Sequence, residues 1–192
     1  FNKPPVKAIV IACNTATAYG LEDIRAAIKG WDIPVIVIGV VEAGARGVAE
    51  TTNDGKKEAD AVLATVGTCN ANAYPKAIGR AVGLAGKLAP TVVQQGCVSL
   101  AGAIEGDPAH LLPSQTAAQS VASIVRNDVS ALVERYRQHG GGPPIGRVVL
   151  GCTHFPLVQK EIASAFAALR DSRPADRDLV AERERDEVRA GP

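Results

Sequence analysis

The order of apolar and amphipathic segments predicts an α/β fold built on parallel sheet. Three observations carry this. Several short runs are apolar throughout instead of alternating, as in strands covered on both faces; they alternate with segments of helical period; and Gly, Pro and Asn mark the joints between them. Val6–Ala12 reads as a buried strand. Residues 16–29 then carry apolar side chains at helical spacing through Ala18, Leu21, Ile24 and Ile28, and Gly30 ends that helix. Ile33–Val40, IPVIVIGV, is a second apolar strand, and a helix from about Glu42 to Thr51 follows. The pattern continues with strand at Ala61–Thr65, helix at Ala73–Leu84, strand at Thr91–Gln95, a long helix at Gln115–Arg137 and strand at Arg147–Leu150. Loops are expected at Gly106-Asp107-Pro108 and across Gly140–Pro144. The charged, weakly periodic stretch from Arg170 to the end reads as frayed helix or disorder.

With 192 residues, 46 % of them hydrophobic, the chain can bury a sizeable core in one or two domains. Lysine and arginine number 21 against 20 acidic residues, a balance of +1 that offers no field for nucleic acid or an anionic membrane. No apolar run nears the roughly 20 residues that span a bilayer, and FNKPPVKAIV lacks the parts of a signal peptide, so a cytoplasmic location is expected.

Four cysteines, Cys13, Cys69, Cys97 and Cys152, stand far apart with no C-x-x-C, which argues against a zinc knuckle or a thioredoxin motif, and no metal site is expected. Two of them share a context. IVIACNTA (Ile9–Ala16) and VVLGCTHF (Val148–Phe155) each run from apolar strand through a small residue to cysteine and then to short polar residues. In open α/β sheets the ligand crevice lies past the carboxyl ends of the strands, beside the N-termini of the following helices. A thiol of pKa about 8.5 is about 3 % ionised at pH 7; a shift to about 7, worth roughly 2 kcal/mol, would make half of it thiolate, and a helix N-terminus can supply part of that. Asn14, Thr15 and Thr153 suit either capping or the holding of a substrate's charged groups, and for Thr17 capping is expected. Two thiols on opposite faces of a small substrate suit stereochemical inversion, one removing an α-proton while the other delivers one from the far side.

A-C-N-T-A at Ala12–Ala16 with L-G-C-T-H-F-P-L at Leu150–Leu157, about 140 residues later, resembles glutamate racemase of the aspartate/glutamate racemase superfamily. Between them, Ala64-Thr65-Val66-Gly67-Thr68 followed by Ala73-Tyr74 is similar to the family's substrate loop, and Cys97 with Glu105 matches a third segment. The resemblance spans roughly Val6 to Val158. It implies a cofactor-free amino-acid racemase with Cys13 and Cys152 as acid/base thiols, His154 assisting Cys152, and Glu105 supporting protonation on that side. Asn14, Thr15, Gly67, Thr68 and Thr153 would bind the amino acid. C-T-H in place of the C-T-E of related aspartate racemases favours glutamate, and D-glutamate would serve peptidoglycan synthesis in a bacterial cytoplasm. The fold implied is two similar parallel-sheet α/β domains with the active site in the cleft between them, one domain truncated. Residues 1–39 and 147–192 would form the partial first domain and 40–146 the second. The family is often dimeric, so a homodimer is a further expectation.

The chain also departs from the family. The D-S-G-x-G-G loop and Y-G segment that open family members are not recognisable ahead of Ile9, and the closing strand with its acidic-Ser/Pro-Gly turn is not recognisable in Arg170–Pro192, so the chain reads as a fragment or a shortened relative. Val6–Ala12 would then be an apolar sheet edge, prone to pairing or aggregation. Val66 replaces an acidic residue, Asn70-Ala71-Asn72 stands where serine is usual, and Gly102 replaces a usual proline, which would loosen the backbone near Glu105. Two alternatives stay open: a two-cysteine racemase of aspartate or another small amino acid, and a catalytically silent binding protein of the same fold. Cys69, Cys97 and Tyr74 read first as packing, His110 and His139 as loop residues, Trp31 as cover for a helix end, and the charges of the long helix, Arg126, Asp128, Glu134, Arg135 and Arg137, as a solvated face.

Overall fold

A computed structural model describes residues 4–172 together with Leu179 and Val180. The elements follow the expected alternation: β1 (Ala8–Ile11), α1 (Asn14–Gly30), β2 (Ile36–Gly39), α2 (Val40–Thr51), β3 (Ala59–Thr65), α3 (Val66–Asn70), α4 (Ala73–Leu84), β4 (Thr91–Cys97), α5 (Leu100–Glu105), α6 (Ala117–Gln138), β5 (Ile145–Gly151) and α7 (Gln159–Ser172). Short 3-10 turns lie at Pro108–His110 and Phe155–Val158. The strands form two parallel sheets, β1-β2 and β4-β3-β5. The α/β class with parallel sheet is thus the observed one.

β3 is the middle strand of the larger sheet, and Ala59 to Ala64 are buried without a break, which is why its sequence shows no alternation. One face is covered by α5, α6 and α7, with Leu100, Val125, Val129, Leu132, Phe155 and Phe166 in the core. The other is covered by α2 and α4 through Val41, Ala45, Val48, Ile78 and Val82. The exception inside β3 is Asp60, fully buried, whose Oδ1 accepts from Arg147 Nε at 2.7 Å.

Pairing corrects one expected boundary. β5 is hydrogen-bonded to β3 from Ala59↔Ile145 to Ala64↔Gly151, so Arg147–Gly151 belongs to the sheet of β3 and β4 and does not return to that of β1. The reason lies in the neighbours: β3 offers seven residues, the first six of them buried, whereas β1 is a four-residue strand. α7 follows β5 onto the same core, through Ile162, Ala165 and Phe166. Among the described residues β1 pairs only with β2, and Val10 and Ile36 are 65 % and 62 % exposed, so Val6–Ala12 is not the buried strand its apolar run suggests but the apolar edge also expected there. Of the expected tail, Arg170 to Ser172 close α7, the Leu179 carbonyl accepts from the Ile145 N–H at 2.8 Å and Val180 bridges to Ile145; the rest lies outside the described residues.

Three helices went unforeseen. α3 and α5 are five and six residues long, too short to declare a period, and exist because β3 and β4 end where the chain must turn back. α7 carries its period but sits against the charged tail, which masked it. Gly102 does not loosen α5: the His110 side chain packs where a Cβ would stand, so the missing side chain makes room for the 3-10 turn.

Candidate active site

The strand ends bring the predicted residues together from both sheets. Cys13 ends the extended segment after β1 and caps α1 itself, its Sγ accepting from the Ala16 N–H at 3.4 Å. Asn14, the first residue of α1, is buried, and its Oδ1 accepts from the Tyr74 hydroxyl at 2.8 Å. Thr17 is no cap: its hydroxyl donates back to the Ile11 carbonyl at 3.0 Å, tying α1 to β1.

Thr15 reaches across to the end of β3. Its Oγ1 lies 2.9 Å from Thr65 Oγ1 and 3.1 Å from Thr68 Oγ1, and those two hydroxyls are 3.0 Å apart, so three hydroxyls close a ring. Thr65 also caps α3 through the Thr68 N–H. Beside the ring, the Tyr19 hydroxyl donates to the Gly67 carbonyl at 3.0 Å. These contacts dock the N-terminal turn of α1 onto that of α3.

Cys152 follows β5. It is buried, leads into a turn and a 3-10 segment in place of the expected α-helix, and lies 3.6 Å from His154 Nδ1. His154 Nε2 is 2.6 Å from Glu105 Oε1 at the C-terminal end of α5, giving a continuous line from sulfur through imidazole to carboxylate. With Nε2–H donating to the carboxylate, Nδ1 is left to exchange a proton with the thiol. The expected lowering of this thiol's pKa is not what the surroundings produce. Burial pushes Cys152 up, the backbone N–H groups of His154 and Phe155 pull it down, and the nearby Cys13 and Glu105 raise it further. Tyr74 links the two segments: its hydroxyl bonds Asn14, next to Cys13, and its ring packs against Gly151, next to Cys152.

Thr153 is exposed beside Cys152, and Gly67 is partly buried at the start of α3. Cys97 is withdrawn into the core, its thiol donating to the Gln95 carbonyl at 3.7 Å, and Asp128 of α6 is half-buried, off the solvated face expected of it. Cys69 is half-buried, and burial raises its pKa to about 11. Sequence reasoning missed Thr65, Tyr19 and the polar part of Tyr74. The T-x-G-T spacing carried a sign of Thr65; nothing in the sequence linked Tyr74 to Asn14. Among the described residues no three His, Cys, Asp or Glu side chains converge as a metal site, and no helix is long and apolar enough to cross a membrane.

The strand ends thus carry an exposed thiol and a buried one, the latter backed by an imidazole and a carboxylate, with hydroxyl and amide groups nearby. The Asp/Glu/Hydantoin racemase family pattern matches residues 1–174, and the chain belongs to that family. It is 36 % identical over 165 residues to a glutamate racemase of Limosilactobacillus fermentum, covering 85 % of this chain and 50 % of that protein, and 31 % identical over 166 residues to one of Enterococcus faecalis. Among solved structures, glutamate racemase isoform RacE1 of Bacillus anthracis superposes with a TM-score of 0.62 at 30 % identity, over 84 % of this chain and 50 % of that one. The Aquifex pyrophilus glutamate racemase superposes with a TM-score of 0.53 at 27 % identity. The chain spans about half the length of the curated relatives it matches.

Proposed function

We propose that the chain carries the two-thiol centre of an amino-acid racemase acting on glutamate without a cofactor. The observation that bears most weight is that the residues next to Cys13 and Cys152, Asn14 and Gly151, come from different sheets and both meet Tyr74, with His154 and Glu105 lined up behind Cys152. In this reading the Cys13 thiolate withdraws the α-hydrogen from one face and the Cys152 thiol donates its proton to the other. In the reverse direction the two exchange roles. His154, held by Glu105, takes the proton of Cys152 when that sulfur must act as base and returns it when it must act as acid. Asn14, Thr15 and Thr153, with the backbone at Gly67, hold the carboxylates and ammonium group, while Thr68, expected among them, is fully buried and holds Thr15 in place. C-T-H at Cys152–His154 and the glutamate racemases among the relatives support glutamate over aspartate, with D-glutamate for peptidoglycan as the product's use in a bacterial cytoplasm.

The test is racemisation in D₂O. Glutamate must acquire α-deuterium as it racemises, and Cys13→Ala and Cys152→Ala must each abolish racemisation with the fold retained. Faster turnover of aspartate would overturn the substrate assignment, and α-hydrogen that never exchanges would reduce the protein to a binder.

A further inference from the structure

We propose that Tyr74 is a positioning residue: its hydroxyl fixes the Asn14 side chain so that the amide presents only N–H donors to the cleft, making it a one-way receptor for a carboxylate. The inference rests on the racemase reading for its substrate and on geometry for its substance. Tyr74, the second residue of α4, is 2 % exposed, and its hydroxyl meets Asn14 Oδ1 at 2.8 Å across 60 positions of sequence. The ring fits because two facing residues lack side chains. A Cβ on Gly44 would stand 3.1 Å from Tyr74 Cε1, and one on Gly151 would stand 2.8 Å from Tyr74 Cε2. Gly151 directly precedes Cys152, and Asn14 directly follows Cys13. One aromatic ring thus touches the residue beside one thiol and bonds the residue beside the other.

The chemistry follows from what each group offers. A phenol has a single O–H to donate, and an amide has one carbonyl acceptor and two N–H donors. With the O–H directed to Oδ1, the amide's acceptor is engaged, and no described residue takes the Nδ2 hydrogens. Turned by 180° about its last torsion, the same amide would present its oxygen to the cleft and repel a carboxylate. The phenol remains a donor throughout the working range, since burial and the neighbouring Cys152 push its pKa to about 12. Tyr74 does not touch the substrate in this scheme; it acts through Asn14.

The experiment uses the full chain with ¹⁵N-labelled asparagine, comparing the parent with Tyr74→Phe, which keeps the ring in its slot and removes only the hydroxyl. Asn14→Asp assigns the Asn14 side-chain NH₂ pair in the spectrum. Without any substrate, that pair is expected to shift and to exchange faster with water in Tyr74→Phe. In turnover, KM for glutamate should rise about 3- to 10-fold, the range of one lost hydrogen bond, while kcat stays within about twofold. Gly44→Ala, which crowds the ring without altering its chemistry, should move the same NH₂ signals in the same direction and keeps the question answerable if Tyr74→Phe does not fold. Unchanged Asn14 signals, or a fall in kcat with KM constant, would overturn the proposal. A parent protein that leaves the glutamate α-hydrogen unexchanged while the Asn14 signals still respond would sink the racemase reading and leave the positioning role standing.

Discussion

Removing the Arg147 guanidinium should cost the fold about 4 kcal/mol at pH 7, and the loss should shrink as the solution is acidified. Asp60 is fully buried in the middle strand, with Oδ1 bound by Arg147 Nε at 2.7 Å and Oδ2 without a partner. The same guanidinium reaches Thr51 Oγ1 at 2.9 Å and Thr52 Oγ1 at 3.2 Å, tying the end of α2 to β3 and β5. In Arg147→Met the carboxylate loses its counter-charge, and burial, which already pushes its pKa up, drives it to take a proton. Holding a proton at pH 7 on a group that releases it at about 3.9 when unfolded costs 1.36 kcal/mol per unit, or about 4 kcal/mol. The sign follows from linkage: a carboxyl whose folded pKa is raised favours folding below its unfolded pKa and progressively disfavours it above. At pH 5 the deficit should therefore be about 1.5 kcal/mol. Urea denaturation of parent and variant at pH 5 and pH 7, with the Asp60→Asn/Arg147→Met double variant, measures this. The double variant should recover most of the loss, since no charge is left to bury. A deficit below about 1 kcal/mol at pH 7, or one that does not change with pH, would refute the reasoning.

Three further outcomes are expected. Glu105→Gln removes the charge facing His154 Nε2 and should lower kcat/KM for glutamate by about tenfold or more, up to the 10²–10⁴ that losing an acid–base group itself costs; since the two enantiomers are isoenergetic, both directions must fall together, and an unchanged kcat/KM would remove Glu105 from the relay. Gly151→Ala forces a Cβ to 2.8 Å from both Ala64 Cβ and Tyr74 Cε2 and should destabilise by about 1–3 kcal/mol in chemical denaturation; a stability within about 0.5 kcal/mol of the parent would contradict it. Cys69, raised by burial to about 11, favours the folded state below its unfolded pKa of about 8.5 and loses that contribution as pH climbs through the folded value. The stability decline over that alkaline window should be shallower in Cys69→Ala, and identical slopes would show that Cys69 does not contribute.

Much of the site was legible because its chemistry is concentrated in short contiguous runs. Cys13 with Asn14 and Thr15, and Cys152 with His154, sit at strand ends, and the strand ends announce themselves by apolar residues giving way to small and polar ones. Glu105 was reachable only through the family pattern, since nothing local in LAGAIEGD says that its carboxylate will meet an imidazole 49 positions later. Tyr74 reads from the sequence as packing, and it does pack in the core; the bond of its hydroxyl to Asn14, 60 positions away, is what the sequence could not show.

The sequence alone determined the longer elements and their class, α7 apart, because periodicity and turn chemistry act within a few residues of one another, and it set the two thiols at the strand ends where α/β folds carry their chemistry. It could not decide which sheet β5 would join, how the buried Asp60 would be neutralised, or which way the pKa of Cys152 would move. Those depend on groups distant in sequence, on β3 as a pairing edge, on Arg147 and on the balance of burial against backbone donors, and such free energies exist only once the chain has brought the partners together.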